Sequence, residues 1–146
     1  MTTLTIHEVS RQSGLSGSTL RYYEEIRLIG PIQRDPSSGH RRYDDHDLDT
    51  LQALACLRAM GVSIEDMRTY QANRLRGNAA AGEQRDLLRR HADRITAEIS
   101  TLEVHLTYLG LKAELWDARE RADADAEAAA SARVHEYLPR LEAVLR

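Results

Sequence analysis

The sequence predicts a mainly α-helical protein in two parts: a winged helix-turn-helix head with a small β-hairpin wing, and a long coiled-coil helix. Three observations carry this prediction. Aromatic residues make up only 5% of the 146 residues and phenylalanine is absent, which favours helices over a sandwich or barrel. Turn signals at helix-turn-helix spacing occur before residue 43. An unbroken heptad repeat occupies residues 88–116.

Two short helices joined by a glycine turn are expected near the N-terminus. Thr5 and Glu8 form a capping box that opens the first helix. Gly14 follows at the position where a helix-turn-helix needs a positive φ, and Leu20 falls where an aliphatic side chain fills the helix crossing. The second helix is predicted over about residues 17–26.

A wing and two more helices complete the predicted head, residues 1–76. Residues 30–43 hold two of the three prolines and read as an arginine-bearing hairpin with a turn-rich tip. A third helix over about residues 46–60 begins after a capping aspartate, and a fourth begins at a capping box of Ser63 and Asp66. We expect residues 77–82 to be a flexible linker.

The long helix is predicted over about 83–120 and carries the clearest periodicity. Its apolar residues recur at alternating spacings of four and three and form the seam of a coiled coil: Leu88, Ala92, Ile95, Ile99, Leu102, Leu106, Leu109, Ala113 and Trp116. The helix would be roughly 50 Å long, too long for the head to cover, so the seam predicts a homodimer. The alternative is that the seam folds back on residues 119–146. The tail, 121–146, is expected to be a short docking helix, with Pro139 beginning its last turns, or to fray.

Bulk composition restricts the class of protein. A lone cysteine, Cys56, excludes an internal disulfide and a cysteine-rich metal site, so neither metal nor cofactor is expected. No signal peptide and no run of 18 apolar residues is present, which predicts a cytoplasmic protein without a membrane partner. The net charge is −3, yet residues 11–42 carry six arginines against three acidic residues, a local +3 that suits nucleic acid.

Several of these segments together resemble the MerR family of transcription regulators. The resemblance is carried by STLRYYE at residues 18–24, LIGP at 28–31, Arg34, GHRRY at 39–43 and MGVSI at 60–64. It implies a non-enzymatic regulator whose long helices pair as an antiparallel coiled coil. It also implies that the dimer binds double-stranded promoter DNA and, on binding an effector, distorts that DNA so that RNA polymerase can use it.

Matched residue by residue, the resemblance places DNA contacts on the second helix, the wing and the following junction. These are Ser16, Ser18, Thr19, Arg21, Tyr22, Tyr23, Arg34, His40, Arg41, Arg42, Tyr43 and Ser63. Tyr23 is equally a candidate for the core. Arg27 stands where the family usually has glycine, so either this arginine adopts a positive φ at some cost or the turn differs. The family's metal-sensing cysteines are absent, which predicts that this chain is no thiolate-based metal sensor.

Two interpretations of Cys56 stay open. Its neighbours Leu54 and Leu57 favour a small apolar residue in a buried helix. The surrounding sequence also resembles the branch of the family with one cysteine in this helix, which responds to aldehydes and related electrophiles; there Cys56 would be a thiol sensor. Trp116 and Tyr108 either pack in the coil or line an effector pocket. Alternative functions are an effector-independent repressor or architectural binder, and a module that sequesters a small molecule.

Overall fold

The computed structural model describes residues 2–145, which form six α-helices and one two-stranded hairpin. In chain order the elements are α1 (Ile6–Ser13), α2 (Gly17–Glu25), β1 (Gln33–Arg34), β2 (Arg41–Arg42), α3 (Asp45–Ala59), α4 (Ile64–Arg76), α5 (Ala81–Glu120) and α6 (Ala124–Val144). They divide into two compact units, one reaching to Leu88 and the other beginning at Arg89. None of the helices in residues 2–145 combines the length and apolarity needed to cross a bilayer. The predicted fold class is confirmed.

The helix-turn-helix forms as its local signals predict. The Thr5 hydroxyl accepts from the Glu8 amide and the Glu8 carboxylate accepts from the Thr5 amide, which closes the capping box of α1. Gly14 ends α1 with φ of 79°, a conformation that costs a residue with a Cβ free energy. Leu20 is completely buried between the helices. The turn therefore holds α2 against α1 through both backbone conformation and packing.

The wing is a short antiparallel hairpin in which Gln33 pairs with Arg42 and Arg34 pairs with Arg41. Its base is extended by an isolated bridge between Leu4 and Tyr43, whose amides each donate to the other residue's carbonyl at 2.8 Å. The bridge ties the segment before α1 to the strand after the wing tip. The predicted hairpin is confirmed.

Helices α3 and α4 close the head. Asp44 and Asp47 form a reciprocal capping box at the start of α3, which the sequence reading did not specify. At the start of α4 the Ser63 hydroxyl accepts from the Asp66 amide at 3.2 Å and so caps the helix, as the sequence predicts. The buried core lies under these helices and the wing: Val9, Leu15, Leu20, Tyr23, Leu28, Ile29, Ile32, Tyr43, Leu51, Leu54, Leu57, Val62 and Met67.

The linker predicted over residues 77–82 is wrong. Residues 77–80 form a 3-10 turn that runs directly into α5 at Ala81. The Gln84 side chain bonds both to the Asn73 amide group at 3.1 Å and to the Tyr70 carbonyl at 3.0 Å. These bonds fasten the first turns of α5 to α4, and that is why the glycines do not loosen the chain here.

The tail forms a full helix, α6, instead of the predicted short helix or frayed end. Asp123 caps it by accepting from the Ala126 amide, and Pro139 lies inside the helix without ending it. Within this second unit, α6 packs on α5 through Ala130 and Val134 against Leu115, with Tyr108 and Leu111 alongside. The alanine-rich stretch is a strong helix former, which outweighs the one backbone bond that proline removes.

The heptad seam of α5 is left uncovered by α6. Leu102, Leu106 and Leu109 expose 63%, 72% and 64% of their surface. The α5 residues that meet α6 are Tyr108, Leu111 and Leu115, none of which belongs to the seam. Tyr108 and Leu115 each lie one position before a seam residue, roughly 100° around the helix. The fold-back of the seam onto residues 119–146 is therefore wrong: α6 folds back onto another face and leaves an apolar stripe in solvent.

Candidate nucleic-acid interface

A basic cleft of about 340 Å³ lies where α1, α2 and the wing meet. Four arginines and two histidines are among its nine lining residues, and none is acidic: Thr5, Ile6, His7, Arg21, Arg34, Gly39, His40, Arg41 and Arg42. We call it the wing cleft. The wing cleft brings together predicted DNA contacts from α2 and from the wing. His7, which the sequence does not mark as a DNA contact, faces the cleft because it is in the first turn of α1.

The exposed N-terminal end of α2 carries three hydroxyls in one cluster. The Ser16 hydroxyl caps the helix by accepting from the Thr19 amide at 3.1 Å, and it bonds the Ser18 and Thr19 hydroxyls at 3.0 and 2.9 Å. Ser16 is therefore engaged in holding the helix end. Ser18 and Thr19 remain predicted base or phosphate contacts because hydroxyls can both donate and accept.

Arg21 and Tyr22 project from the exposed side of α2. The Arg21 guanidinium lies over Gly17, where a Cβ would come within 3.7 Å of its nitrogens, and its head group reaches the wing cleft. Tyr22 keeps 49% of its surface exposed although its ring stands 6.4 Å from that of Tyr23. Both side chains are free to meet a partner surface.

The wing tip is rigidified by Asp35. Its Oδ1 accepts from the Ser37 hydroxyl at 2.6 Å and from the Ser37 and Ser38 amides at 2.9 and 3.1 Å. These hydrogen bonds, with the Ser37 hydroxyl contributing most, hold the pKa of Asp35 far below its ordinary value. Arg42 lies 3.7 Å from the same carboxylate. The loop that joins the two arginine-bearing strands of the wing is therefore fixed.

Glu24 anchors the wing to α2. Its Oε1 accepts from Arg41 Nε at 2.6 Å and its Oε2 accepts from the Ile32 amide at 3.1 Å. Burial opposes ionisation, but the bonds from Arg41 and Ile32 and the charges of Arg41 and Arg34 outweigh it and lower the pKa of Glu24. Arg41, predicted only as a DNA contact, thus also donates a hydrogen bond within the protein through its Nε.

Two predicted DNA contacts are wrong because their side chains are buried. Tyr23 and Tyr43 expose 2% and 0% of their surface and belong to the core of the head. Burial raises the pKa of both phenols. Strand alternation explains Tyr43: its neighbour Arg42 points outward, so Tyr43 points inward. Ser63 caps α4 and does not line the wing cleft.

Cys56 is exposed, so its interpretation as a buried core residue is wrong. Leu54 and Leu57 point into the core, whereas Cys56 lies on the other side of α3, in the last turn and a half before Ala59. The thiol is accessible to solvent. No group of three His, Cys, Asp or Glu side chains in residues 2–145 is placed to hold a metal ion.

Arg27 adopts a positive φ of 60°, the first of the two alternatives for this position. It directly follows the C-cap of α2, Ile26, whose carbonyl accepts from Arg68 of α4 at 2.6 Å. The end of α2 is thus fixed by a strained residue and by an arginine from a neighbouring helix.

Helix α2 against α1, a hairpin wing and a cleft of arginines between them define a winged helix-turn-helix protein. The family model described as MerR HTH family regulatory protein matches residues 4–74. The chain is 33% identical over 102 residues, 68% of its length, to an uncharacterized HTH-type transcriptional regulator of Pseudomonas aeruginosa, of which it covers 76%. The chain belongs to the MerR family, a family of transcription regulators and not of enzymes.

Two further similarities add detail. The chain is 35% identical over 85 residues to the HTH-type transcriptional regulator AdhR of Bacillus subtilis; that match spans 58% of this chain and 60% of AdhR, less than two thirds. The fold is similar to that of HiNmlR, described as a MerR family regulator lacking the sensor domain and bound to promoter DNA. The two structures compare with a TM-score of 0.71 and a sequence identity of 27%. The match covers 86% of this chain and 95% of the HiNmlR chain.

Proposed function

We propose that the protein binds promoter DNA as a homodimer and switches transcription by distorting that DNA in response to an effector. The wing cleft is the observation that carries the proposal. Its four arginines and two histidines, without an acidic lining residue, provide the local positive charge that phosphates require in a chain of net charge −3. The DNA-bound state of the similar HiNmlR structure supports the same partner.

In this proposal the wing cleft and the N-terminal end of α2 contact different parts of the DNA. Arginines of the wing cleft bind phosphates and fix the position of the head on the duplex. The exposed end of α2, with Ser18, Thr19 and Tyr22, then reads base edges in the major groove. Glu24 keeps wing and helix at a fixed separation, because it bonds both Arg41 and the backbone before β1.

The exposed seam supports a second copy of the chain as the partner of α5. A stripe of large apolar side chains this exposed is costly in water and typical of an interface. The centre of the seam is Leu102, fourteen residues from both Leu88 and Trp116. In an antiparallel pair Leu102 therefore meets its own equivalent, and Leu88 meets Trp116 of the second copy.

Charged residues flank the seam, as in other coiled coils. In the antiparallel orientation Arg89 faces Asp117 of the second copy and Glu98 faces His105, while Glu103 faces its own equivalent. Two antiparallel α5 helices place the two heads at opposite ends, as a protein that straddles a pseudo-palindromic site requires.

For the effector we propose an electrophile that reacts with Cys56, as in the single-cysteine branch of the family. The exposure of the thiol and the resemblance of its surrounding sequence to that branch support this. With an aldehyde, the sulfur adds to the carbonyl carbon and the thiol proton ends on the carbonyl oxygen, which gives a hemithioacetal without an oxidant. A promoter reporter treated with formaldehyde tests it: an unchanged response in Cys56→Ser would contradict the sensor role.

Fluorescence anisotropy with the intergenic DNA upstream of the gene tests DNA recognition. We expect that duplex to outcompete a random one, and Arg21→Ala to weaken binding about tenfold or more. Arg133→Ala, an exposed arginine on α6, is the matched control and should bind like the unsubstituted protein. Equal competition by the two duplexes would contradict the regulator. Weak, unspecific DNA binding together with tight binding of a small molecule would favour the sequestering module.

A further inference from the structure

A second cleft, of about 810 Å³, lies in the head between α2, α3 and α4. It shares no lining residue with the wing cleft, and we call it the inner cleft. Its lining comes from the end of α2 and the following loop (Glu24, Arg27, Leu28, Ile29, Gly30, Pro31, Ile32), from α3 (His46, Asp47, Thr50) and from α4 (Gln71, Leu75). Its size is within the range of pockets that hold small organic ligands.

One wall of the inner cleft is apolar. Leu28, Ile29 and Ile32 belong to the buried core and present their edges to the cleft. At the rim, Leu75 exposes 86% of its surface, the most of any large apolar residue in the described part of the chain. The cleft therefore offers apolar surface from its floor to its rim, which an apolar body of a ligand can cover.

The other wall consists of hydrogen-bond acceptors. Gln71 Oε1 is buried and accepts no hydrogen bond in the structure. Asp47 is half-buried, and burial raises the pKa of its carboxyl group; its Oδ2 accepts from the Asp44 amide at 3.0 Å, which leaves Oδ1 for a further donor. Glu24 adds a second carboxylate, although its two oxygens are occupied by Arg41 and Ile32. A buried acceptor without a partner costs free energy that a donor would recover.

The positive groups of the inner cleft lie at its mouth. Arg27 and His46 are exposed, and water screens them more than it screens the half-buried Asp47. The interior is thus rich in hydrogen-bond acceptors, although Arg41 pairs with Glu24 and Arg74 donates to Thr50 Oγ1 at 3.4 Å, while the mouth is open. We propose that the inner cleft binds a small molecule with an aromatic or alkyl body and a cationic group bearing N–H donors, such as a primary ammonium or an amidinium.

The donors distinguish this class from other cations. An amidinium donates to both Gln71 Oε1 and Asp47, so it satisfies the orphan acceptor and compensates the carboxylate. A quaternary ammonium carries the charge but no donor, and a carboxylate would meet Asp47 and Glu24 as like charges. Binding of such a molecule in the inner cleft does not require DNA. Any change that the bound molecule causes in DNA binding rests on the proposed function. Glu24 would carry that change, because it lines the inner cleft and also bonds Arg41 of the wing.

Nuclear magnetic resonance on the uniformly ¹⁵N-labelled full chain tests the site with benzamidine as the probe. We expect amide shifts confined to residues 27–32, 46–50 and 71–75, with a dissociation constant on the order of 1 mM, as for a probe of this size. Benzyltrimethylammonium and benzoate should bind about tenfold more weakly or not at all. Equal binding of either compound, or shifts elsewhere in the chain, would overturn the proposal.

Variants separate the site from a general surface effect. Gln71→Leu should weaken benzamidine binding about tenfold, and Gln71→Glu should strengthen it. Gln52→Leu, an exposed glutamine on α3 outside the inner cleft, should change nothing. Leu75→Lys, at the exposed rim, should also weaken binding because it adds a positive charge. Unaltered affinity in Gln71→Leu and Leu75→Lys would refute the site, whereas loss of DNA recognition with intact benzamidine binding would count only against the proposed function.

Discussion

Glu24 and Arg41 join α2 to the wing through a hydrogen-bonded ion pair of 2.6 Å between Oε1 and Nε. The pair is largely covered, with 15% and 20% of the two side chains exposed. The second oxygen of Glu24 accepts from the Ile32 amide, so one carboxylate holds both the residue before β1 and the first residue of β2. Together with the bridge between Leu4 and Tyr43, this side chain sets the orientation of the wing.

Glu24→Gln should lower the free energy of unfolding by about 1–2 kcal/mol at pH 7, because Gln bonds Arg41 more weakly. The pKa of Glu24 is lowered in the folded protein, so its contribution is present above the ordinary glutamate value of about 4.3. That contribution disappears as the pH falls toward the lowered pKa. Urea unfolding at pH 7 and pH 3.5 measures it. The exposed Glu25→Gln is the control; a difference independent of pH would contradict the assignment.

Arg42→Ala should weaken DNA binding and reduce its salt dependence. Each lost phosphate contact lowers the slope of log K against log salt by about 1, so a dimer should lose about 2. Anisotropy titrations between 50 and 300 mM KCl, with Arg133→Ala as the control, give the slope. An unchanged slope would show that Arg42 does not meet a phosphate.

Leu102→Asp should abolish dimerisation. In the proposed antiparallel pair the substitution places two carboxylates together at the centre of the seam. We expect the dissociation constant of the dimer to rise at least a hundredfold. Sedimentation equilibrium measures the mass. Leu145→Asp alters an equally exposed leucine outside the seam and should leave the mass unchanged; a dimeric Leu102→Asp would contradict the seam as the interface.

Val134→Asp should release α6 from α5, because Val134 is 6% exposed and packs on Leu115. An unpaired carboxylate there costs several kcal/mol. Hydrogen exchange should then accelerate over residues 124–144 but not over α1–α4. Glu136→Gln, an exposed position on α6, serves for comparison. Protection of α6 that survived the change would mean that other contacts hold it.

Arg27→Gly should stabilise the head by about 0.5–1 kcal/mol, because φ of 60° strains a residue with a Cβ. Thermal unfolding of the full chain measures the gain. Ala97→Gly, in the middle of α5, should instead lower the free energy of unfolding by about 1 kcal/mol. If both variants lost stability, Arg27 would be contributing contacts that outweigh its strain.

The features that sequence reasoning predicted are those whose signals are local. Thr5 and Glu8 together predict the capping box that they form, and Gly14 predicts the positive φ at its own position. The heptad spacing of α5 predicts the apolar stripe on that helix. Each depends on residues within one or two turns. The same holds for the hairpin, whose prolines and glycine lie within the loop that they shape.

What sequence reasoning missed depends on contacts between distant segments. The bond from Glu24 to Arg41 spans seventeen residues, and no periodicity marks it. The match to the family motif predicts Tyr43 as a wing contact, but strand alternation turns its side chain inward. Pro139 is predicted to begin the last turns of a short helix, whereas it lies inside α6, where the alanine-rich helix around it and packing on α5 hold it in place.

The bare seam on α5 also makes the proposed activity depend on the abundance of the chain. A surface that is apolar in the isolated protomer makes the active species a product of mass action. Below the dissociation constant of the dimer, the concentration of dimer rises with the square of the protomer concentration. A twofold change in synthesis would then change promoter occupancy about fourfold, and expression level would act as a second input beside the effector.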